Sequence, residues 1–221
     1  MKVGEDNMTQ ARHITLYHSP NTRSSGTLLL LEELGADYSL HAVNMKAGAH
    51  RQPDYLAVNP LGKVPAIRCN GALVTEQAAI TIYLADLYPE AGLAPAADSP
   101  LRGPYLRWLV FYGSSFEPAV VDRAMQREPG PVAMSPYGSY DAVIDAVCAQ
   151  LRAGPYLLGE RFTAADVLWG MALSWTTMFK VVPERPEIMA YLDRFKMRPA
   201  LARMSAIDAK LAGEHEAAAA G

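Results

Sequence analysis

The spacing of apolar positions changes character near residue 90. Before it, short apolar runs with strand character alternate with helical patterns, which predicts an α/β unit; after it, strand alternation disappears. Ile14 to Tyr17 reads as a strand. A polar turn, Ser19-Pro20-Asn21-Thr22-Arg23-Ser24-Ser25-Gly26, leads into a leucine-rich helix from Thr27 to Leu34 that Gly35 stops. Asp37 to Val43 is the next strand, and Asn44 to Asn59, with Gly48, Pro53 and Tyr55, reads as irregular chain holding a short helix. Asn70-Gly71 then divides two short apolar runs between Val64 and Val74. Asn-Gly supplies the two positive-φ residues of a type I′ turn, so this stretch predicts a hairpin. Thr75-Glu76-Gln77 opens a helix to about Leu87, with Ala79, Ile80, Tyr83, Leu84 and Leu87 assigned to its apolar face and Pro89 beyond its end. The predicted order is βαβαββα.

Beyond it, Gly92 to Pro100 is rich in Ala, Pro, Asp and Ser and reads as a linker. Helical spacing returns from Leu101 to about Met125, with Pro118 marking a kink or break. Further helices are expected over 137–151, from Thr163 through Trp175, over 186–197 and over 200–211. The helix from Thr163 opens on Thr163-Ala-Ala-Asp166, the spacing in which a hydroxyl and a carboxylate satisfy orphan backbone N–H groups at a helix start. Its body is apolar nearly all round, so it belongs at the centre of a helical core. The expected division is a loose tail over 1–12, an α/β domain over 13–91, a linker over 92–100 and an all-helical domain over 101–221, with a frayed Ala-rich end.

Composition narrows the function classes. Half the 221 positions are hydrophobic and 19% charged, enough apolar material for a core without staples. Twenty basic against 23 acidic residues leave a formal charge of -3, which provides no field for nucleic acid or an anionic membrane. No run approaches the roughly 18 apolar residues of a spanning helix, and no leader-like apolar segment opens the chain. Cys69 and Cys148 form no C-x-x-C pair, so neither a dithiol motif nor a metal site is expected, and a reducing, cytoplasmic setting fits.

Four features carry candidate chemistry. The turn at Ser19–Ser25 brings hydroxyl side chains to a helix N-terminus, where free N–H groups and the helix dipole favour an anion. Lowering a thiol from ~8.5 toward ~6.5 there requires about 2.7 kcal/mol, within reach of one hydroxyl hydrogen bond and the dipole. Simple helix capping by Ser24 or Ser25 is the competing reading. In Gly62-Lys63-Val64-Pro65-Ala66, a proline opens a strand before the hairpin; it marks either a sheet edge or a cis bond that turns the Val64 backbone toward an extended ligand. Glu76 and Gln77 at another helix start suit an amino-acid head group, against a plain dipole-complementing role for Glu76. His50-Arg51 with Lys63 suit a second carboxylate, against solvated surface.

The order of these blocks, Leu-Tyr-His-Ser-Pro-Asn-Thr-Arg-Ser, Asn59-Pro60-Leu61-Gly62-Lys63-Val64-Pro65, Thr75-Glu76-Gln77-Ala-Ala-Ile and Phe162-Thr163-Ala-Ala-Asp166, resembles the cytosolic glutathione S-transferase family in its bacterial theta-, beta- and nu-like branches. The resemblance spans residues 13 to about 212. It implies a thioredoxin-like N-terminal domain, an all-helical C-terminal domain and a homodimer, with glutathione as co-substrate and no metal. Carried over by position, Glu76 and Gln77 take the γ-glutamyl end, Val64 with cis-Pro65 pairs with the cysteinyl backbone, and His50 with Lys63 holds the glycine carboxylate. Two positions depart from the pattern: Gln77 replaces the usual Ser or Thr, and Arg23 stands where the beta-like branch has its catalytic cysteine. Ser24 is then the expected thiolate donor, with Asn21, Thr22, Ser19 and Tyr17 as alternatives. Tyr105, Tyr112 and Phe116 are expected to face a small apolar electrophile. The implied activity is conjugation of glutathione to that electrophile. Disulfide or peroxide reduction, dehalogenation or isomerisation on the same fold is the alternative, and non-catalytic binding or regulation a further one.

Overall fold

The computed structural model describes residues 12–127 and 130–220, without the side chains of 219 and 220. Except for Arg12, the expected N-terminal tail lies outside these residues. The chain divides into two compact units: one runs to Ala91 and includes Pro199 onward, and the other is Gly92–Arg198. The last helix, grouped by sequence with the helical domain, thus belongs by its packing to the first unit.

The first unit has the predicted order: β1 (Ile14–His18), α1 (Ser24–Leu34), β2 (Tyr38–Ala42), α2 (Pro53–Leu56), β3 (Ala66–Cys69), β4 (Ala72–Thr75) and α3 (Gln77–Leu87), joined by α9 (Pro199–Ala220). The sheet runs β2-β1-β3-β4. β1 pairs parallel with β2, Ile14 opposite Tyr38, and antiparallel with β3, Leu16 opposite Ile67; β4 pairs antiparallel with β3. As central strand, β1 buries both faces. Ile14, Leu16 and His18 point to the side of α1, and Tyr17 joins Val43, Tyr55, Val64 and Ala66 in a cluster on the other. Leu28 to Leu31 are all buried because α1 is packed by β1, α3 and α9 together, which explains a helix leucine-rich on every side. On α3, Ile80, Thr81, Leu84 and Ala85 are buried, whereas Ala79, assigned to the apolar face, is exposed. The hairpin turn has φ of 50° at Asn70 and 76° at Gly71, as a type I′ turn requires.

The second unit holds α4 (Arg102–Phe111), a π-helical turn (Tyr112–Phe116), α5 (Glu117–Ala124), α6 (Tyr140–Arg152), α7 (Ala164–Met178) and α8 (Pro186–Lys196). The π turn sits where sequence placed a break: Pro118 has no N–H to continue the i→i−4 ladder, and the preceding turn widens. α7 runs through the middle. Trp169 on it is fully buried, its ring 4.8–6.2 Å from those of Trp108, Phe111, Tyr112 and Phe116, stacked on Phe111 and edge-on or tilted to the others, and its indole N–H donates to the Trp108 carbonyl at 3.0 Å. Gly170 lets α8 approach; a Cβ there would lie 2.3 Å from the Phe195 ring. At the start of α7, the Thr163 N–H and hydroxyl both donate to Asp166 Oδ2, at 2.8 and 2.9 Å. Leu157 N–H and the Tyr191 hydroxyl reach Oδ1, so the carboxylate ties a loop and α8 to the helix it caps. Among the described residues no helix is long and apolar enough to cross a membrane.

Candidate functional site

The turn between β1 and α1 is knitted by its own hydroxyls. Thr22 Oγ1 donates to the Ser19 carbonyl at 2.7 Å and accepts the Ser24 N–H at 3.2 Å, so helix α1 starts at Ser24, three residues earlier than predicted. Ser24 Oγ accepts the Ser19 N–H at 3.1 Å, donates to the Ser19 carbonyl at 3.0 Å, and lies 2.7 Å from Thr22 Oγ1 and 2.8 Å from His18 Nδ1. It is 0% exposed. The expected thiolate donor therefore faces the interior with its hydrogen-bonding capacity filled; it shapes the turn and presents no hydroxyl to a ligand.

The alternatives separate in the same way. Ser19 is buried, and Thr22 spends its hydroxyl inside the turn. Tyr17 lies on the opposite sheet face from His18, its ring beside His41 and Tyr55, and its hydroxyl accepts from Arg68 Nε at 3.1 Å. Asn21 is different. It is exposed, in the left-handed region at φ 57°, and its carboxamide takes part in none of the turn's hydrogen bonds among the described residues.

The second element is the loop before β3. Asn59, buried, organises it: Asn59 Oδ1 accepts the Leu61 N–H at 3.1 Å, its carbonyl accepts the Gly62 N–H at 2.8 Å, and its Nδ2 donates to the Lys63 carbonyl at 2.9 Å. The Tyr55 hydroxyl donates to that carbonyl at 2.6 Å, and burial pushes its pKa up to about 12. Gly62 has φ 60°, and a Cβ there would meet the His50 carbonyl at 2.7 Å, so only glycine lets the loop close on the segment holding His50. Arg51 completes the seam by donating to the Leu61 carbonyl at 3.3 Å. The Val64–Pro65 bond is cis, one of the two readings the sequence allowed, and Val64 precedes the first paired residue of β3, Ala66. Lys63 is exposed; His50 is half-buried with Nδ1 buried and unpartnered among the described residues.

The third element is the start of α3. Glu76 is exposed at φ 67° as its N-cap. Gln77 Nε2 donates to the Arg23 carbonyl at 3.3 Å, joining this helix start to the turn that opens α1, while Gln77 Oε1 is buried and unpartnered among the described residues. The starts of α1 and α3 are thus joined directly, through the Gln77 side chain and the Arg23 carbonyl. The remaining polar groups of the turn face inward. Asp208 of α9 accepts from His18 Nε2 at 2.8 Å, from Asn21 N–H at 3.1 Å and from the Ser25 hydroxyl at 2.5 Å. His18, Asn59 and Asp208 have no role in the sequence reading, although His18 and Asn59 stand inside the quoted motifs, and Ser25 enters it only as a helix cap.

Tyr105, Tyr112 and Phe116, expected at a second pocket, are 0%, 6% and 1% exposed. Tyr112 and Phe116 pack on Trp169, and Tyr105 is wholly enclosed, so all three are core of the second unit: aromatic residues at helical spacing here follow the buried stripe of α4 and the π turn. Cys69 and Cys148 are free and buried, and burial pushes the Cys148 thiol up.

Residues 12–86 match the glutathione S-transferase N-terminal domain and residues 131–199 the glutathione S-transferase C-terminal domain. The chain is 30% identical over 187 residues to glutathione S-transferase GstA of Escherichia coli O157:H7, covering 83% of this chain and 93% of that protein. Among solved structures, a glutathione transferase of Methylococcus capsulatus is 32% identical with a TM-score of 0.74, over 89% of this chain and 98% of that one. A sphingomonad glutathione S-transferase complexed with glutathione is 30% identical with a TM-score of 0.71, over 88% and 98%.

Proposed function

Because the chain belongs to the cytosolic glutathione S-transferase family, we propose that it binds glutathione, holds it as thiolate and transfers it to a small apolar electrophile. The observation that carries this reading is that the starts of α1 and α3 adjoin, joined through Gln77 Nε2 and the Arg23 carbonyl. One accommodates a thiolate and the other a carboxylate, the two anionic ends of a γ-glutamyl-cysteinyl unit. Glu76 takes the γ-glutamyl amine and the Gln77 backbone its carboxylate. Val64, beside cis-Pro65, offers its main chain to the cysteinyl amide, and His50 with Lys63 takes the glycine carboxylate.

Asn21 is the thiolate donor in this reading, replacing Ser24. Its exposed carboxamide N–H stabilises developing charge on sulfur, and binding holds the electrophile beside it. With an aryl halide, the sulfur attacks the halogen-bearing carbon, a C–S bond forms, the carbon–halogen bond breaks, and halide leaves while the thiol proton passes to solvent. The same reading has a homodimer acting in the cytoplasm.

Titration calorimetry with glutathione tests the binding half, and no heat at millimolar ligand overturns it. For the chemical half, Asn21→Ala is expected to lower kcat toward an aryl halide on the order of 10- to 100-fold with little change in glutathione affinity. An unchanged kcat removes Asn21 from this role. Parallel assays with a hydroperoxide and a small disulfide distinguish conjugation from reduction.

A further inference from the structure

Behind the proposed thiol site lies a buried cluster that makes none of the glutathione contacts assigned above. His18 ends β1 with its ring fully buried, one nitrogen on Asp208 Oδ1 and the other on Ser24 Oγ, each at 2.8 Å. These are the distances of an Asp–His–Ser hydrolytic relay. The serine has no path to a substrate, however, since it is fully buried and already accepts the Ser19 N–H. The cluster therefore has a different task.

That task is visible in the second carboxylate oxygen. Asp208 Oδ2 accepts the Asn21 main-chain N–H at 3.1 Å and the Ser25 hydroxyl at 2.5 Å. One carboxylate thus grips the turn at three points: the strand end before it, its left-handed corner and the first helical turn after it. A non-glycine residue at φ 57° persists where its surroundings over-determine it, and the carboxylate is the partner of the corner's only backbone donor. Although burial raises the Asp208 carboxyl, the bonds from His18, Ser25 and Asn21 outweigh it and hold it below the usual carboxylate range. It is charged when the protein works. The carboxylate comes from α9, 187 residues beyond the corner it holds.

We propose that Asp208, oriented by His18, is a positioning residue that fixes Asn21 in its left-handed corner and so sets the rate at which bound thiol reacts. This rests on the reading of Asn21 as thiolate donor. Asp208 touches no substrate, so its loss acts on kcat and leaves the glutathione anchors at His50, Lys63, Val64 and Glu76 in place.

The test uses the full chain with Asp208→Asn, which preserves shape but replaces one of the two acceptor oxygens by a donor facing donors. Circular dichroism reports folding, amide hydrogen exchange at Asn21 reports the corner, and steady-state kinetics with glutathione and 1-chloro-2,4-dinitrobenzene report the chemistry. We expect Asn21 exchange to accelerate at least about 10-fold and kcat to fall on the order of 10-fold, with KM for glutathione within about 3-fold. Ser25→Ala, which keeps Asp208 and removes one grip, is expected to move exchange and kcat in the same direction by roughly 3-fold, and it carries the test if Asp208→Asn does not fold. Unchanged Asn21 exchange in the folded variants overturns the proposal, as does a loss of kcat/KM that lies wholly in KM. If the wild-type protein neither binds nor conjugates glutathione, the transferase reading fails, while exchange at Asn21 still decides the positioning role.

Discussion

Replacing Ser24 with alanine separates the two roles open to its hydroxyl. As a surface group meeting a ligand thiol it would contribute little to folding, within about ±0.5 kcal/mol. Its position in the structure demands more. The oxygen has four polar neighbours, and two of them have no other hydrogen-bond partner among the described residues: His18 Nδ1 at 2.8 Å and the Ser19 N–H at 3.1 Å, both in buried residues. Thr22 keeps its bond to the Ser19 carbonyl, so its loss is small. An unpaired buried polar group costs about 1–3 kcal/mol, and the space left by one oxygen is too small for a water to replace it. Two such groups place the cost near 2–6 kcal/mol, which for a chain of this length lowers Tm by roughly 4–24 °C. Urea unfolding at constant m-value measures it, alongside glutathione affinity on the folded fraction. Ser24→Ala as stable as the parent, with turnover abolished, would refute the reasoning and return Ser24 to the thiol.

Two further predictions concern the second unit. Gly170→Ala places a methyl 2.3 Å from the Phe195 ring, so despite the better helix propensity of alanine a net loss of about 1–3 kcal/mol is expected, partly recovered by Phe195→Leu in the double variant; additive single effects in that cycle would show that the two sites do not meet. Burial pushes the Asp166 carboxyl up to about 6, against the pull of its hydrogen bonds from Leu157, Thr163 and Tyr191. The folded value lies above the unfolded one near 3.9, so the fold retains a proton between about pH 4 and 6; the associated stability is fully present below pH 4 and is lost as pH rises through 6. Relative to Asp166→Asn, the wild type should lose about 3 kcal/mol across that window, and a flat difference would contradict a raised carboxyl.

The features legible in the sequence were those with local causes. Asn70-Gly71 needs no tertiary context to favour a type I′ turn, and the βαβαββα order follows from periodicity and punctuation alone. Thr163-Ala-Ala-Asp166 closes on itself within one helical turn. What the sequence leaves open has the opposite cause. Residue type points to Ser24 and the aromatic trio, but a hydroxyl at a helix start can face either side of its turn. Phe116 and Tyr112 carry the same helical spacing whether the stripe lines a pocket or fills a core. Which side wins is decided by residues distant in sequence: Asp208, which holds His18 against Ser24, and Trp169 for the aromatics.

The His18–Asp208 pair shows what kind of signal the chain did hold. On β1, period-two alternation puts His18 in the same buried register as Ile14 and Leu16; on α9, Asp208 follows Ala200 and Met204 at i, i+4 and i+8, again in a buried stripe. A polar side chain in a buried register has to find a partner, because its desolvation is otherwise uncompensated. Each residue alone says only that a partner exists. Taken together, an unsatisfied donor at a strand end and an unsatisfied acceptor on a late helix are complementary, and pairing them predicts that the final helix returns to the first strand. That contact makes α9 part of the first unit and gives the β1–α1 turn a support that its own residues do not supply.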